Sequence, residues 1–140
     1  MKKLVLIFSL IAFEANAKPD CENYSPFNFY PSISKFTMGF SLKKSEIVQA
    51  GSWDGKSEPK LSISKAVALS NKAVGKEKLA YRTELEAVSL RQFGCGAPEY
   101  FYYDVVYQTF DNKDRMIGLY HVIIYQNGKV NMPVQVSLPK

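Results

Sequence analysis

Asn127-Gly128 stands between two runs of alternating apolar residues, and this pair constrains the chain more than any other feature of its sequence. Asparagine followed by glycine accepts the positive φ that a type I′ turn demands at both central positions, so a two-residue β-hairpin is expected. Pairing Gln126 with Lys129 sets Tyr125 opposite Val130, Ile123 opposite Met132, His121 opposite Val134, Leu119 opposite Val136 and Ile117 opposite Leu138. All of these then lie on one face, the core face. His121 falls inside it. With no carboxylate or second ligand placed beside it by the sequence, it reads as a packed imidazole with one hydrogen bond rather than a general base or metal ligand.

Upstream, Tyr100 to Phe110 is aromatic and β-branched enough for a strand, and Asp111-Asn112-Lys113-Asp114 is its turn. Thr83 to Phe93 changes facing parity midway, from Leu85 and Ala87 to Val88 and Leu90, which predicts a β-bulge. Ser62 is a helix N-cap, the stripe Ile63, Ala66, Val67, Ser70, Ala73 and Val74 has helical spacing, and Gly75 stands at the C-terminal glycine position. Before a loop over 51–60, Phe36, Met38, Phe40 and Leu42 alternate as a half-buried strand, with a second short strand over Glu46 to Ala50. The expected fold is α+β: one helix, Ile63 to Val74, packed on an antiparallel sheet of four or five strands.

The first 17 residues read as a cleavable signal peptide. Lys2 and Lys3 precede an apolar run from Leu4 to Phe13, followed by Ala15-Asn16-Ala17 as an A-x-A cleavage site. The apolar run is half the roughly 20 residues that a membrane-spanning helix needs, and no transmembrane segment is expected after cleavage. The compact, two-lysine leader has a bacterial character and points to the periplasm or the medium. Losing Lys2, Lys3 and Glu14 takes 18 basic and 13 acidic residues to 16 and 12, and the formal net charge from +5 to +4. Such a modest excess serves solubility. Export argues against nucleic acid as a partner.

In an oxidising compartment Cys21 and Cys95, the two cysteines of the chain, are expected to form one disulfide. It closes a loop of about 75 residues and contributes ~4 kcal/mol on the chain-entropy model. The domain organisation is then a signal peptide over 1–17, a proline- and aromatic-rich arm over 18–32, and a single α+β domain over 33–140. The disulfide brings the arm towards the strand after Cys95, where Tyr100, Tyr102, Val106 and Phe110 share a face. Tyr120, Val122 and Ile124 make the opposite face of the last hairpin similarly apolar. Faces of this kind are covered or used for binding. The arm is expected to cover part of the sheet.

No catalytic or cofactor signature is found. One histidine and two cysteines exclude ordinary zinc and haem spacing, there is no G-x-S-x-G, and Gly94-Cys95-Gly96 lacks a phosphate-loop context. Glu84, Glu86, Glu99 and Asp104 are the acids a small carboxylate-dependent hydrolase would use, and they read as solvated strand charges. Trp53 in its glycine-flanked loop is either a ligand-stacking residue or a core anchor.

Leu61-Ser62-Ile63-Ser64-Lys65-Ala66, the strand Tyr100 to Tyr107, and the hairpin ending Asn127-Gly128-Lys129-Val130 together resemble small exported PepSY-like domains over residues 59 to 138. One helix on a curved antiparallel sheet is also similar to the cystatin-like plan, although the cystatin Q-x-V-x-G loop is missing. The resemblance implies a non-catalytic domain that binds or inhibits peptidases or other envelope proteins. The expected function is thus a non-enzymatic, cofactor-free binding module for an envelope or extracellular protein or peptide, with Tyr100, Tyr102, Tyr120 and Trp53 as candidate contacts. An accessory structural subunit of an envelope assembly and a small hydrolase are the alternatives.

Overall fold

The structure is a computed structural model that describes residues 23–29, 37–77, 79, 81–94 and 99–136. The signal peptide and both cysteines, Cys21 and Cys95, lie outside the described residues. In chain order the elements are β1 (Asn23–Tyr24), β2 (Asn28–Phe29), β3 (Met38–Gly39), β4 (Leu42–Lys43), α1 (Lys44–Ala50), α2 (Ile63–Lys76), β5 (Arg82–Gln92), β6 (Phe101–Phe110), β7 (Met116–Tyr125), β8 (Val130–Asn131) and β9 (Val134–Gln135). The fold is mixed α+β with antiparallel pairing. A four-stranded sheet runs β5-β6-β7-β8, and the short strands pair β1 with β4 and β2-β3-β9. Among the described residues no helix is long and apolar enough to cross a membrane.

Strand alternation gives the main sheet two apolar faces, and both are covered. On the first, Tyr103, Val105 and Tyr107 of β6 and Tyr120, Val122 and Ile124 of β7 pack under Leu61, Ala66 and Val74. Helix α2 docks there through its small buried residues Ala66, Ser70 and Val74, four apart on one stripe. Two tyrosine hydroxyls fix its position: Tyr103 donates to the Leu61 carbonyl at 2.6 Å, and Tyr107 lies 2.8 Å from Ser70 Oγ. On the second face Tyr102, Ile123 and Tyr125 pack with Phe40, Leu42, Ile47, Ala50 and Phe93, and Phe27, Phe29 and Tyr100 close over them. Fully burying an aliphatic side chain of this size contributes roughly 1.5–3 kcal/mol, so each face holds a core of its own.

Several expectations hold in detail. Ser62 caps α2 by accepting the Lys65 N–H at 3.3 Å, and β5 carries its irregularity between Leu85 and Ala87. Others need correction. Residues 46 to 50 are helical in α1, because Ile47 and Ala50, three apart, are the buried positions, and Gly51 ends the turn at φ 91. The chain therefore has two described helices. The run before it keeps its buried alternation at Phe40 and Leu42 but splits into β3 and β4 with different partners. Alternation records which way a side chain faces, not which strand lies beside it. Helix α2 continues through Gly75 to Lys76, where the Glu77 N–H closes it on the Ala73 and Val74 carbonyls, and Ile63 is exposed instead of joining the stripe.

The last hairpin differs by one residue. Tyr125 pairs with Lys129, its N–H meeting the Lys129 carbonyl at 2.9 Å, and the Gly128 N–H returns to the Tyr125 carbonyl at 2.8 Å. The loop is thus Gln126-Asn127-Gly128, and Gly128 alone takes positive φ, at 85°. This is a type I turn followed by one left-handed residue, the usual three-residue hairpin, in place of a type I′ turn. The consequence is a register in which Ile124 faces Val130 and Ile123 faces Asn131. Val130 and Met132 move to the α2 side with Tyr120, Val122 and Ile124. A one-residue slip exchanges the faces of every paired residue.

Gly128 is the position on which this register turns. An alanine there must hold the left-handed conformation at a cost of roughly 1–2 kcal/mol, and its Cβ would sit 3.3 Å from Leu69 Cδ1. Urea unfolding of Gly128→Ala is expected to show a loss of that order, and unchanged stability would contradict the observed turn.

Candidate functional site

The predicted contact residues do not form one surface. Tyr102 and Tyr120 are only 2% and 6% exposed and lie on opposite faces of the sheet. Tyr120 faces Tyr107 beneath α2, while Tyr102 faces Tyr125 in the second core. Tyr100 is half-buried against that second core. Trp53 is tied to the start of β6, its backbone N–H donating to the Glu99 carbonyl at 2.8 Å and its ring edge-on to Phe101 at 5.0 Å, and its indole N–H donates to the Ser57 carbonyl at 2.8 Å. Asp54 closes the same loop by accepting the Lys56 and Ser57 N–H groups, which hold its carboxyl below the ordinary range.

The candidate catalytic acids are also dispersed. Glu84 pairs with Arg82, Glu86 accepts from the Gln108 amide, and Glu99 is exposed at the turn into β6. Asp104 alone is buried, and its placement corrects the sequence reading of both residues involved. Its Oδ1 lies 2.9 Å from His121 Nδ1, and its Oδ2 accepts from Arg91 Nε at 2.9 Å. His121 thus has a carboxylate partner, and Asp104 is not a solvated strand charge. The register explains the meeting: Asp104 faces Ile123 and Val106 faces His121, so acid and imidazole are diagonal neighbours on one face. Arg91 reaches the other oxygen from β5.

The arm seals this cluster. The Phe27 and Phe29 rings each lie 4.9 Å from the His121 ring, and the Arg91 guanidinium sits over Phe27 at 5.6 Å. Phe29 also touches Tyr120 at 6.3 Å, so it spans both faces of β7 at its edge. Asp104, with both oxygens engaged, serves to join three strands and the arm. Among the described residues no three His, Cys, Asp or Glu side chains gather as metal ligands.

Open space lies at both ends of α2: beside its first turn, Pro59, Ile63, Val88, Leu90 and Tyr103 line a cavity of about 410 Å³. A cavity of about 540 Å³ lies between the last turn of α2 and the start of β5, walled by Asn71, Gly75, Glu77, Tyr81, Thr83, Leu85 and Tyr107 among others. Another, of about 310 Å³, is lined by Phe110, Asp111, Asn112 and Asp114, and Tyr81 and Arg82 form a wall of both. Burial, and then the Glu77 charge, push the Tyr81 hydroxyl up to about 12. Burial raises Tyr120 as well, with Glu77 and Tyr81 adding to it. Arg82 is turned to its own partners, Glu84 and Asp114, and lies over the Phe110 ring at 4.2 Å. Nothing in the sequence marks this cleft, because Glu77 and Tyr81 come from the α2–β5 connection and Asp114 from the β6–β7 turn. The one available signal was the turn over 111–115, whose Asp111 N–H to Arg115 carbonyl bond sets the β6 and β7 register.

Removing Arg91 leaves a buried carboxylate short of a partner, whereas removing the charge of Asp104 frees an arginine that is already half in water. Arg91→Met is therefore expected to cost roughly 3 kcal/mol in urea unfolding, and Asp104→Asn a smaller loss of roughly 1–2 kcal/mol. The reverse order would contradict a carboxylate-centred cluster.

No family model matches the chain, and neither the curated proteins nor the solved structures searched contain a match to it.

Proposed function

We propose that the chain is an exported, non-enzymatic module that binds a protein or peptide of the cell envelope, and that it does so at the cleft around Tyr81. The observation that carries this reading is that the aromatic faces of the sheet are filled, one by α2 and the other by α1 and the arm, whereas the cavity of about 540 Å³ between the last turn of α2 and β5 is open and mixes rings, hydroxyls and carboxylate. Its volume lies within the roughly 300–1,000 Å³ of ordinary ligand sites. Of the acids a hydrolase would need, Glu84, Glu86 and Asp104 each have their own partner and Glu99 is exposed at the turn into β6. The sequence resemblance to PepSY-like and cystatin-like domains adds to this reading, and the leader-like first 17 residues supply the route to the envelope.

Expressed with its own leader in a bacterial host, the protein is expected in the periplasmic fraction with Lys18 as its first residue. A photocrosslinking side chain at Thr83, on the cleft wall, is expected to capture an envelope partner that the same group at Lys65 does not. Lys65 is exposed and lies 10 residues before Gly75 in α2, about 15 Å along the helix. An intact Met1 in the cytoplasm contradicts export. Equal capture from both positions contradicts the cleft as the contact.

A further inference from the structure

We infer that the chain pairs with a second copy of itself through the outer edge of β5, joining the two main sheets edge to edge. This pairing is independent of the cleft around Tyr81. The 11-residue β5 is an end strand, with β6 on one side and, among the described residues, no strand on the other. Such an edge offers a row of unpaired N–H and C=O groups to an extended chain. The Phe93 N–H meets the Tyr100 carbonyl at 2.8 Å. Antiparallel alternation from that bond directs the main-chain groups of Arg91, Ser89 and Ala87 towards β6, and those of Gln92, Leu90 and Val88 away from it.

The two halves of this edge are guarded differently. Residues 82–86 carry features that block strand addition: Arg82, Glu84 and Glu86 are exposed, and the pairing is irregular between Leu85 and Ala87. Residues 87–92 contain no proline or lysine, and their one charge, Arg91, is drawn onto the sheet face by Asp104. Beside this unguarded half, Val88 and Leu90 line the cavity of about 410 Å³ together with Ile63, which is 58% exposed.

The unguarded half is complementary to itself, as a two-fold interface requires. With the axis at Ser89, Val88 of each copy faces Leu90 of the other. Both are outward-bonding residues, so each pair exchanges its two main-chain bonds. Their side chains share the α2 face, where each copy extends the apolar wall of the other's cavity. On the opposite face, Arg91 comes beside Ala87 and Glu86 of the second copy. Glu86 is on that face, where it holds the Gln108 amide, and Arg91 is half exposed while it binds Asp104 through Nε. Opposite charges therefore meet on both sides of the axis, which sets the register and favours the self-pairing over a foreign strand. Because β5 ends at Gln92, which lies opposite Glu86 in this register, Tyr81 and Thr83 on the cleft wall stay uncovered.

The test is analytical ultracentrifugation of the purified protein over a range of concentrations, in which a dimer fraction that rises with concentration is expected. Val88→Pro removes an outward N–H and no bond to β6, so it is expected to weaken the association by roughly tenfold or more. Ser89→Cys supplies a second measurement that leaves the strand intact. Facing residues of a non-hydrogen-bonded antiparallel pair have Cα atoms about 4.5 Å apart, within the span of a disulfide. Treated with diamide, Ser89→Cys is expected to give a covalent dimer that neither the unmodified protein nor Ala68→Cys, exposed on α2, gives. If Val88→Pro loses its dispersed amide spectrum, the Ser89→Cys result decides alone. A protein that stays monomeric up to about 1 mM overturns the inference and leaves the edge to an extended segment of another protein. A dimer that survives Val88→Pro and leaves Ser89→Cys uncrosslinked overturns it as well.

Discussion

A carboxylate with no exposed surface sits in the middle of β6, and the arrangement around it organises the second half of the core. Burying Asp104 without partners would be prohibitive in a protein interior. Arg91 from β5 and His121 from β7 each give it a nitrogen at 2.9 Å, so three neighbouring strands must hold one register for the charge to be tolerated. The Phe27 and Phe29 rings then rest on His121, and Phe27 also lies against Arg91. The charge is thereby coupled to the arm: displacing residues 27 to 29 would expose the imidazole and admit water towards Asp104.

This coupling explains why a sheet with two apolar faces needs more than one helix to complete it. Helix α2 covers the first face through a stripe of small residues and two tyrosine hydroxyl contacts. The second face is assembled from short pieces: α1, two-residue strands, and the aromatic arm, none of which could bury a core alone. Side-chain ties hold the pieces in place. Lys129 reaches Glu46 of α1 at 2.8 Å, and Asn131 donates to the Ser41 carbonyl and the Tyr125 hydroxyl, so the last hairpin anchors the covering layer. The cleft at the C-terminal end of α2, where the proposed ligand site lies, is one of the cavities left open beside that helix.

The sequence was most legible where one local signal governs one local structure. Ser62 capped a helix, the parity change in 83–93 produced a bulge, and the aromatic run from Tyr100 produced a strand. It was least legible where structure depends on a partner. Asn127-Gly128 marks a hairpin, yet the pair does not say whether the loop has two residues or three, and that single residue decides which way Val130 and Met132 face. Residues 46–50 carry too few positions to separate a strand from a two-turn helix, and burial of Ile47 and Ala50 settled it. Asp104 and His121 are far apart in sequence, and their meeting depends on the register across the 111–115 turn. The arm was expected to cover the sheet, and its described residues do so, while the disulfide proposed to hold it involves Cys21 and Cys95, outside the described residues.

The central claim is that the arm closes over the buried Asp104 cluster, and the chain provides a direct probe of it because His121 is its single histidine. In a proton NMR spectrum the His121 ring resonances are unambiguous. With two phenyl rings centred 4.9 Å away, they are expected to be displaced from random-coil positions by ring currents. In a Phe27→Ala, Phe29→Ala double variant that keeps a dispersed amide spectrum, they are expected to move back towards those positions. Histidine ring signals already at random-coil positions in the unmodified protein, or unmoved by the double substitution, would contradict the account.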